Sequence, residues 1–365
     1  MIRRSGTTRG RGRPPHATET RRALGPGSLA GPDGVPSGTA RSPQAPGARA
    51  SLASMGLLLL LAPIPGLSAA LSPGREGPAP HPPWGFVGHE MAARAAAALL
   101  PEEMPAFFRA AAEQLAYLNP EPDRWRVREQ REMNQAFAYD HYIDLENVPD
   151  GALDAPDRFV YLRLLYEAGL ERPERDAGFL PYRIAELYQR TVNGFRRWRA
   201  EQDGGRREWI EERIVNDAGI LGHFVTDASQ PHHTTIHFNG WDADTPNPEG
   251  YTRDNGFHAR FERYFVETHV TYADLADHMP ADALPSVAGS VQAAVRRHIL
   301  ESHAEVETLY RLDRDVGFDP ERPAAPAAVD FAAERLAAGA RMLAVLWWSA
   351  WLESASEPER GGTGG

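Results

Sequence analysis

The stretch that most constrains the fold is Gly222-His223-Phe224-Val225-Thr226-Asp227-Ala228-Ser229-Gln230-Pro231-His232-His233. It ends a run in which Trp209, Ile210, Ile214, Ala218, Leu221 and Val225 recur at three- and four-residue steps, the spacing of one buried helix face. A helix through this run sets His223 and Asp227 one above the other on the same side. Pro231 cannot continue a helix, so the chain turns there and His233 swings back towards the same point. Imidazole, carboxylate and imidazole gathered in one short segment suit zinc. A His–Asp pair on a helix surface has the same spacing, so the rest of the chain must decide.

The chain has 365 residues, enough for one large core or two domains. Residues 1–54 are rich in Arg, Pro and Gly without apolar periodicity, and are expected to be disordered or to lie upstream of the true start. Met55–Ala70 is an apolar run too short to span a bilayer, closing on the small residues Ser68 and Ala70, and reads as a signal peptide with Arg41 and Arg49 before it. Residues 71–83 are read as a Pro-rich pro-segment, 84–355 as the folded domain, and 356–365 as a flexible tail. Secretion, to the medium or the periplasm, is the expected destination. Residues 1–83 hold 10 of the 39 basic and 3 of the 50 acidic residues, leaving 29 and 47, a balance near −18. Such a charge argues against a surface that coats nucleic acid, though not against a nuclease whose metals hold the phosphate. Cys is absent, which excludes thiolate metal sites, thiol nucleophiles and disulfides. Nothing after Trp84 is long and apolar enough to cross a membrane.

Helical periodicity dominates from Trp84 onward, and no run alternates as a strand does, so the predicted class is all-α, a single multi-helix bundle with a metal cleft. Gly88–Leu100 is Ala-rich, and Pro101 is read as opening a second helix through Leu118. Residues 119–123 are read as a loop, Asp157 as the cap of a helix reaching Gly169, and Pro181–Gln202 as an amphipathic helix. The next helix spans 206–229, and residues 230–257 form a long polar loop. Helices resume at about 257–268, 285–313 and 327–354.

Other places carry matching chemistry: Trp84-Gly-Phe-Val-Gly-His89, Asp123-Arg-Trp-Arg126, His141-Tyr142-Ile-Asp144 and Gly256-Phe-His258-Ala-Arg-Phe-Glu262. In these motifs, taken in order, the chain resembles the zinc-dependent phospholipases C and the related three-zinc single-strand nucleases of fungi and plants. The likeness runs from Trp84 to about Trp348, and rests above all on H-x-x-x-D-x-x-Q-P-x-H followed by G-F-H-x-x-x-E. It implies an all-α bundle with three Zn²⁺ at the base of a cleft. By position, Asp123, His141, His223 and Asp227 would hold the first zinc, and His233, His258 and Glu262 the second. Asp227 would bridge to a third, completed by His89 and the backbone amine and carbonyl of Trp84. The implied reaction is attack of a zinc-held hydroxide on a phosphodiester, with Asp123 orienting or deprotonating the water and Arg126 binding phosphate charge.

Two departures qualify the likeness. Cleavage after Ala70 leaves Leu71–Pro83 ahead of Trp84, and only a free amine there can chelate, so two zincs are expected without a second cut. The choline-specific members carry Glu, Tyr and Phe where this chain has Val87, Arg124 and Ala138, so choline specificity is not supported. The W-G-x-x-G-H start, the Asp-x-x-Arg pattern and Tyr142 beside His141 resemble the nucleases. Glu262 and the Gly-Phe before His258 resemble the phospholipases. The preferred reading is a phospholipase C-like phosphodiester hydrolase acting on phospholipid or another phosphodiester. The alternatives are a nuclease on single-stranded DNA or RNA and a non-catalytic zinc-binding helical protein. Tyr142, Asp144, His232 and Trp241 are candidate substrate contacts, with His232 and His237 otherwise read as loop surface. A monomer is expected.

The N-terminus provides the first test. The piece 71–83 carries five prolines and no apolar period, so it stays extended and open to proteases. Secreted protein should therefore begin at Trp84 and hold three zincs, as N-terminal sequencing and metal analysis would show. A chain beginning at Leu71 with three tightly held zincs would refute the role given to Trp84.

Overall fold

The long helix-periodic runs of the sequence become the longest helices of the computed structural model, which describes residues 85–279 and 282–356. The expectations for residues 1–83, for Trp84 and for the last nine residues lie outside the described residues. Eight helices set the frame: α1 Gly85–Ala98, α2 Ala112–Leu118, α3 Arg158–Glu167, α4 Leu180–Ala200, α5 Gly204–Asp227, α6 Val291–His303, α7 Val306–Asp315 and α8 Pro326–Glu353. Among the described residues there is no strand, only one bridge between Phe238 and Gly240, and the expected all-α class is what is found.

Local chemistry sets the helix ends. The Asp157 carboxylate accepts from the N–H groups of Phe159 and Val160 and starts α3, while Asp203 accepts from Arg206 N–H and starts α5. Proline in the first turn opens α4 and α8, where its missing N–H costs nothing.

Packing centres on α5. It lies against α4, α2 and α8, and α8 in turn covers the Ala-rich α1. Between them sit Phe108, Phe195, Leu221, Leu343 and Trp347, all fully buried. Each such side chain contributes roughly 1.5–3 kcal/mol by leaving water. Trp347 also donates its indole N–H to the Ala218 carbonyl at 3.1 Å, which pins α8 to α5 one turn before His223. A smaller cluster of Tyr161, Leu165, Phe179 and Tyr182 packs below α3. Among the described residues no helix is long and apolar enough to cross a membrane.

Several boundaries differ from the sequence reading. Pro101 does not open a helix; a turn follows it, and helical structure starts after Pro105 as Ala106–Ala110 and then α2. A second proline four residues on disfavours helix in the residue before it, which explains the break. The 119–123 loop contains a helical turn, Glu121–Arg124, and the polar loop opens with a 3-10 turn, Pro231–Thr234. The expected 285–313 helix divides into α6 and α7. A helix at Tyr272–Ala276 was missed although Thr271 and Asp274 form a capping box, a legible signal. Trp209, read as part of the buried face of α5, is 69% exposed, whereas Ile214, Ala218, Leu221 and Val225 are buried as expected.

At Gly339 helix α8 comes close to the end of α5: an added Cβ would lie 2.7 Å from Ser229 Oγ and 3.3 Å from Thr226 Cα. Gly339→Leu should therefore push α8 away from the segment that carries Asp227. A loss of about 1–3 kcal/mol is expected in denaturant unfolding, the usual range for overpacking. A change below about 0.5 kcal/mol would show that the two helices are not held this closely.

Candidate metal centre

Eight side chains named from the sequence meet around the C-terminal end of α5. His223 and Asp227 are its last turn, and His89 comes from the second turn of α1. Asp123 sits in the helical turn Glu121–Arg124, and His141 follows the 3-10 turn Ala138–Asp140. His233 lies in the turn Pro231–Thr234. His258 is in Phe257–Ala259, and Glu262 in the π-helical stretch Arg260–Phe265 that continues it. A hydrogen bond from Ile143 N–H to the His233 carbonyl, 2.8 Å, ties two of these segments together. All eight side chains are nearly or fully out of solvent.

The distances are those of groups that could hold metal ions. Tetrahedral zinc with bonds of about 2.0–2.2 Å separates its ligand atoms by roughly 3.3–3.6 Å. His141 Nδ1 lies 2.9 Å from His223 Nε2 and 3.2 Å from Asp227 Oδ2. His223 Nε2 is 3.2 Å from that same Oδ2, and Asp123 Oδ1 is 3.9 Å and 3.7 Å from the two imidazole nitrogens. A second group joins His233 Nε2, His258 Nε2 and Glu262 Oε2 at 3.3, 3.4 and 2.9 Å. The other Asp227 oxygen, Oδ1, faces His89 Nε2 at 3.5 Å and His233 Nε2 at 3.9 Å. Three groupings of donors that could hold a metal ion result: His89, His223 and Asp227; Asp123, His141 and His223; and His233, His258 and Glu262.

Burial leaves this cluster electrostatically unbalanced. Both Asp123 oxygens, Asp227 Oδ1 and Glu262 Oε1 are buried without a hydrogen bond. Burial pushes the Asp123 and Glu262 carboxyls up to about 7. It also lowers His141 to about 3. In His233 burial works downward too, but Asp227 and Glu262 overcome it and carry the imidazole up to about 9. Asp227, flanked by His223 and His233, stays well below the usual carboxylate range despite its burial. Arg126 lies beside the cluster, its guanidinium lowered by burial and held up by Asp123, Asp227 and Glu262.

Two residues that the sequence reading passed over support the donors. The Gln230 amide accepts from His232 N–H at 2.6 Å, which fixes its orientation, and donates to Glu262 Oε2 at 2.8 Å. Asn119 Oδ1 lies 2.9 Å from His89 Nδ1. His233 Nδ1 donates to the His141 carbonyl at 2.7 Å, which leaves Nε2 as the nitrogen facing His258 and Glu262. Gln230 stood inside the central motif and could have been marked; Asn119 sat in what reads as a plain Asn-Pro loop.

The candidate substrate contacts are placed as follows. Tyr142 is buried, its hydroxyl donating to the Arg175 carbonyl at 2.6 Å. Asp144 is buried, its carboxyl raised well above the usual range by burial and by Glu146 and Asp176. Trp241 donates to the Pro246 carbonyl at 3.0 Å and stacks on His237 at 3.9 Å. His232 and His237 are both buried, not loop surface as one reading had it. Aromatic neighbours explain it: Phe257, Phe261 and Tyr310 surround His232, and Trp241 and Tyr310 cover His237.

No protein-family model matches the chain, and no curated protein matches it. Among solved structures, the alpha toxin of Clostridium absonum aligns at 13% identity and a TM-score of 0.39, over 75% of this chain and 66% of that one. An alpha-toxin of Clostridium perfringens, isolated from avian strain SWCP, aligns at 13% identity and a TM-score of 0.39, over 77% of this chain and 66% of that one. The alignments thus span just under two thirds of the toxins, and a likeness at this level says nothing of what the chain does.

The metal-free protein should lose stability as pH rises from 7 to 9. Over that range unfolded carboxyls and imidazoles have shed their protons, while the fold keeps one on His233 and, near pH 7, partly on Asp123 and Glu262. The folded state then binds more protons than the unfolded, so stability falls with pH. Thermal melts in excess chelator should show a falling melting temperature from pH 7 to 9, and added zinc should remove the fall. A flat or rising melting temperature in chelator would contradict this account.

Proposed function

We propose that the chain is a secreted, zinc-dependent phosphodiester hydrolase of phospholipase C type. The observation that carries the proposal is the donor set: eight nitrogen and oxygen side chains, without Cys, spaced as zinc ligands are and holding carboxylate oxygens that no protein donor satisfies. A structural zinc is usually closed by four protein ligands, often Cys, so a set spread over three groupings favours catalysis. Asp123, His141, His223 and Asp227 would hold one zinc and His233, His258 and Glu262 another. Asp227 and His89 would reach a third. When bound, zinc polarises phosphoryl oxygens and lowers the pKa of water towards ~7.

The chain's own groups do the rest. Asp123, with two buried oxygens free of hydrogen bonds, orients the attacking water and takes its proton. Arg126 supplies positive charge beside the same carboxylate, where it neutralises the phosphate. Tyr142, buried with its hydroxyl engaged, offers no open ring face for a base to stack on. That supports lipid over nucleic acid as the substrate.

One set of assays tests the proposal. Zinc-loaded protein should release a phosphorylated head group from micellar phospholipid, and chelator should abolish release. Asp123→Asn, assayed at zinc high enough to fill the site that Asp123 also ligates, should cut kcat by about 10²–10⁴, the usual weight of a general base. Cleavage of single-stranded DNA or RNA alone would overturn the lipid reading. No hydrolysis of either by protein shown to carry zinc would leave a non-catalytic zinc protein.

A further inference from the structure

We propose that Asn119 is a positioning residue that fixes the tautomer of His89, holding the proton on Nδ1 so that Nε2 faces Asp227 as a lone pair. In a neutral imidazole one ring nitrogen carries the proton and the other does not. Asn119 Oδ1 is 2.9 Å from Nδ1, and both side chains are fully buried. An amide oxygen only accepts, which puts the proton on Nδ1. On the far side Nε2 has no hydrogen-bond partner and stands 3.5 Å from Asp227 Oδ1. That is longer than a normal N–H···O bond of about 2.7–3.2 Å. It matches the roughly 3.3–3.6 Å separation of two ligands on one tetrahedral zinc.

The reverse amide orientation has the opposite consequence. Asn119 Nδ2 would donate to Nδ1, and the proton on Nε2 would point at Asp227 and shut the nitrogen to a cation. The chain makes room for this amide through Gly222, where an added Cβ would lie 2.4 Å from Asn119 Nδ2. Thus the glycine before His223 serves His89, on a different helix, through Asn119. The effect on zinc rests on reading the cluster as a zinc site; the tautomer does not.

The test uses full-length protein with ¹⁵N-labelled histidine, metal-free, with the His89 ring signals assigned by loss in His89→Gln. The wild type should show His89 protonated at Nδ1. Asn119→Ala should abolish that preference, and Asn119→Asp, which keeps the acceptor, should retain it. Competition with a zinc-binding dye should show the most weakly held zinc lost about 10–100-fold more readily in Asn119→Ala, the usual cost of losing an outer partner. Gly222→Ala, which crowds the amide without removing it, should move in the same direction. A wild-type His89 protonated at Nε2 would overturn the proposal, even if no variant folds. So would an Asn119→Ala protein with unchanged tautomer and zinc affinity. A wild type with the expected tautomer that binds no zinc would instead overturn the zinc reading and leave the role of Asn119 standing.

Discussion

The structure depends on one uncomfortable fact of electrostatics: Asp123, Asp227 and Glu262 are drawn together out of water with too few donors to satisfy them. Asp123 and Glu262 resist ionisation there, while Asp227 keeps its charge between His223 and His233, and the three repel unless a cation neutralises them. The five histidines around them soften the conflict without resolving it, because burial lowers His89, His141 and His258. Only His223 and His233 are raised by their acidic neighbours. A divalent ion would resolve it, and the donors form groups that could hold one. Asp227 is the hinge of the arrangement, since its two oxygens face different histidines: Oδ2 towards His141 and His223, Oδ1 towards His89 and His233.

Holding such a cluster requires a frame that does not yield. The last turn of α5 is pinned from one side by α8, through Trp347 on Ala218 and Gly339 against Ser229. From the other side α2 and the turn after it bring Asn119 and Asp123 against the same helix. The donors come from helix ends and tight turns, where chain direction changes and side chains from distant positions can meet. The aromatic and aliphatic contacts that make the core are therefore also what sets the distances within the cluster.

The sequence showed the donors more clearly than it showed what supports them. His223 and Asp227 were legible because a helix repeat of 3.6 residues forces i and i+4 together, and Pro231 because it must end the helix. The same spacing marked His258 and Glu262, although the helix there takes a π form that no periodicity announces. His89, Asp123 and His141 entered by resemblance alone, since nothing local brings three loops and helix starts to one point. Asn119, Gln230 and Gly222 escaped because their roles are set by contacts across long sequence separations. The exposed Trp209 is the converse case: it obeys the helical repeat, but the frame leaves its position uncovered.

The difference between these two classes has a physical cause. A donor must be one of a few residue types, so its chemistry is visible wherever it stands. A supporting side chain is defined by what it touches, and a buried amide or glycine looks ordinary until the fold surrounds it. Gln230 illustrates the step between the two. Its oxygen is committed to His232 N–H, so its nitrogen has no choice but to donate to Glu262 Oε2. That bond leaves Oε1 as the carboxylate atom without a partner. A local turn thus decides which way a carboxylate 32 residues away presents itself. The motif that names the histidines also contains the residue that aims their neighbour, and only the folded chain reveals that the two belong together.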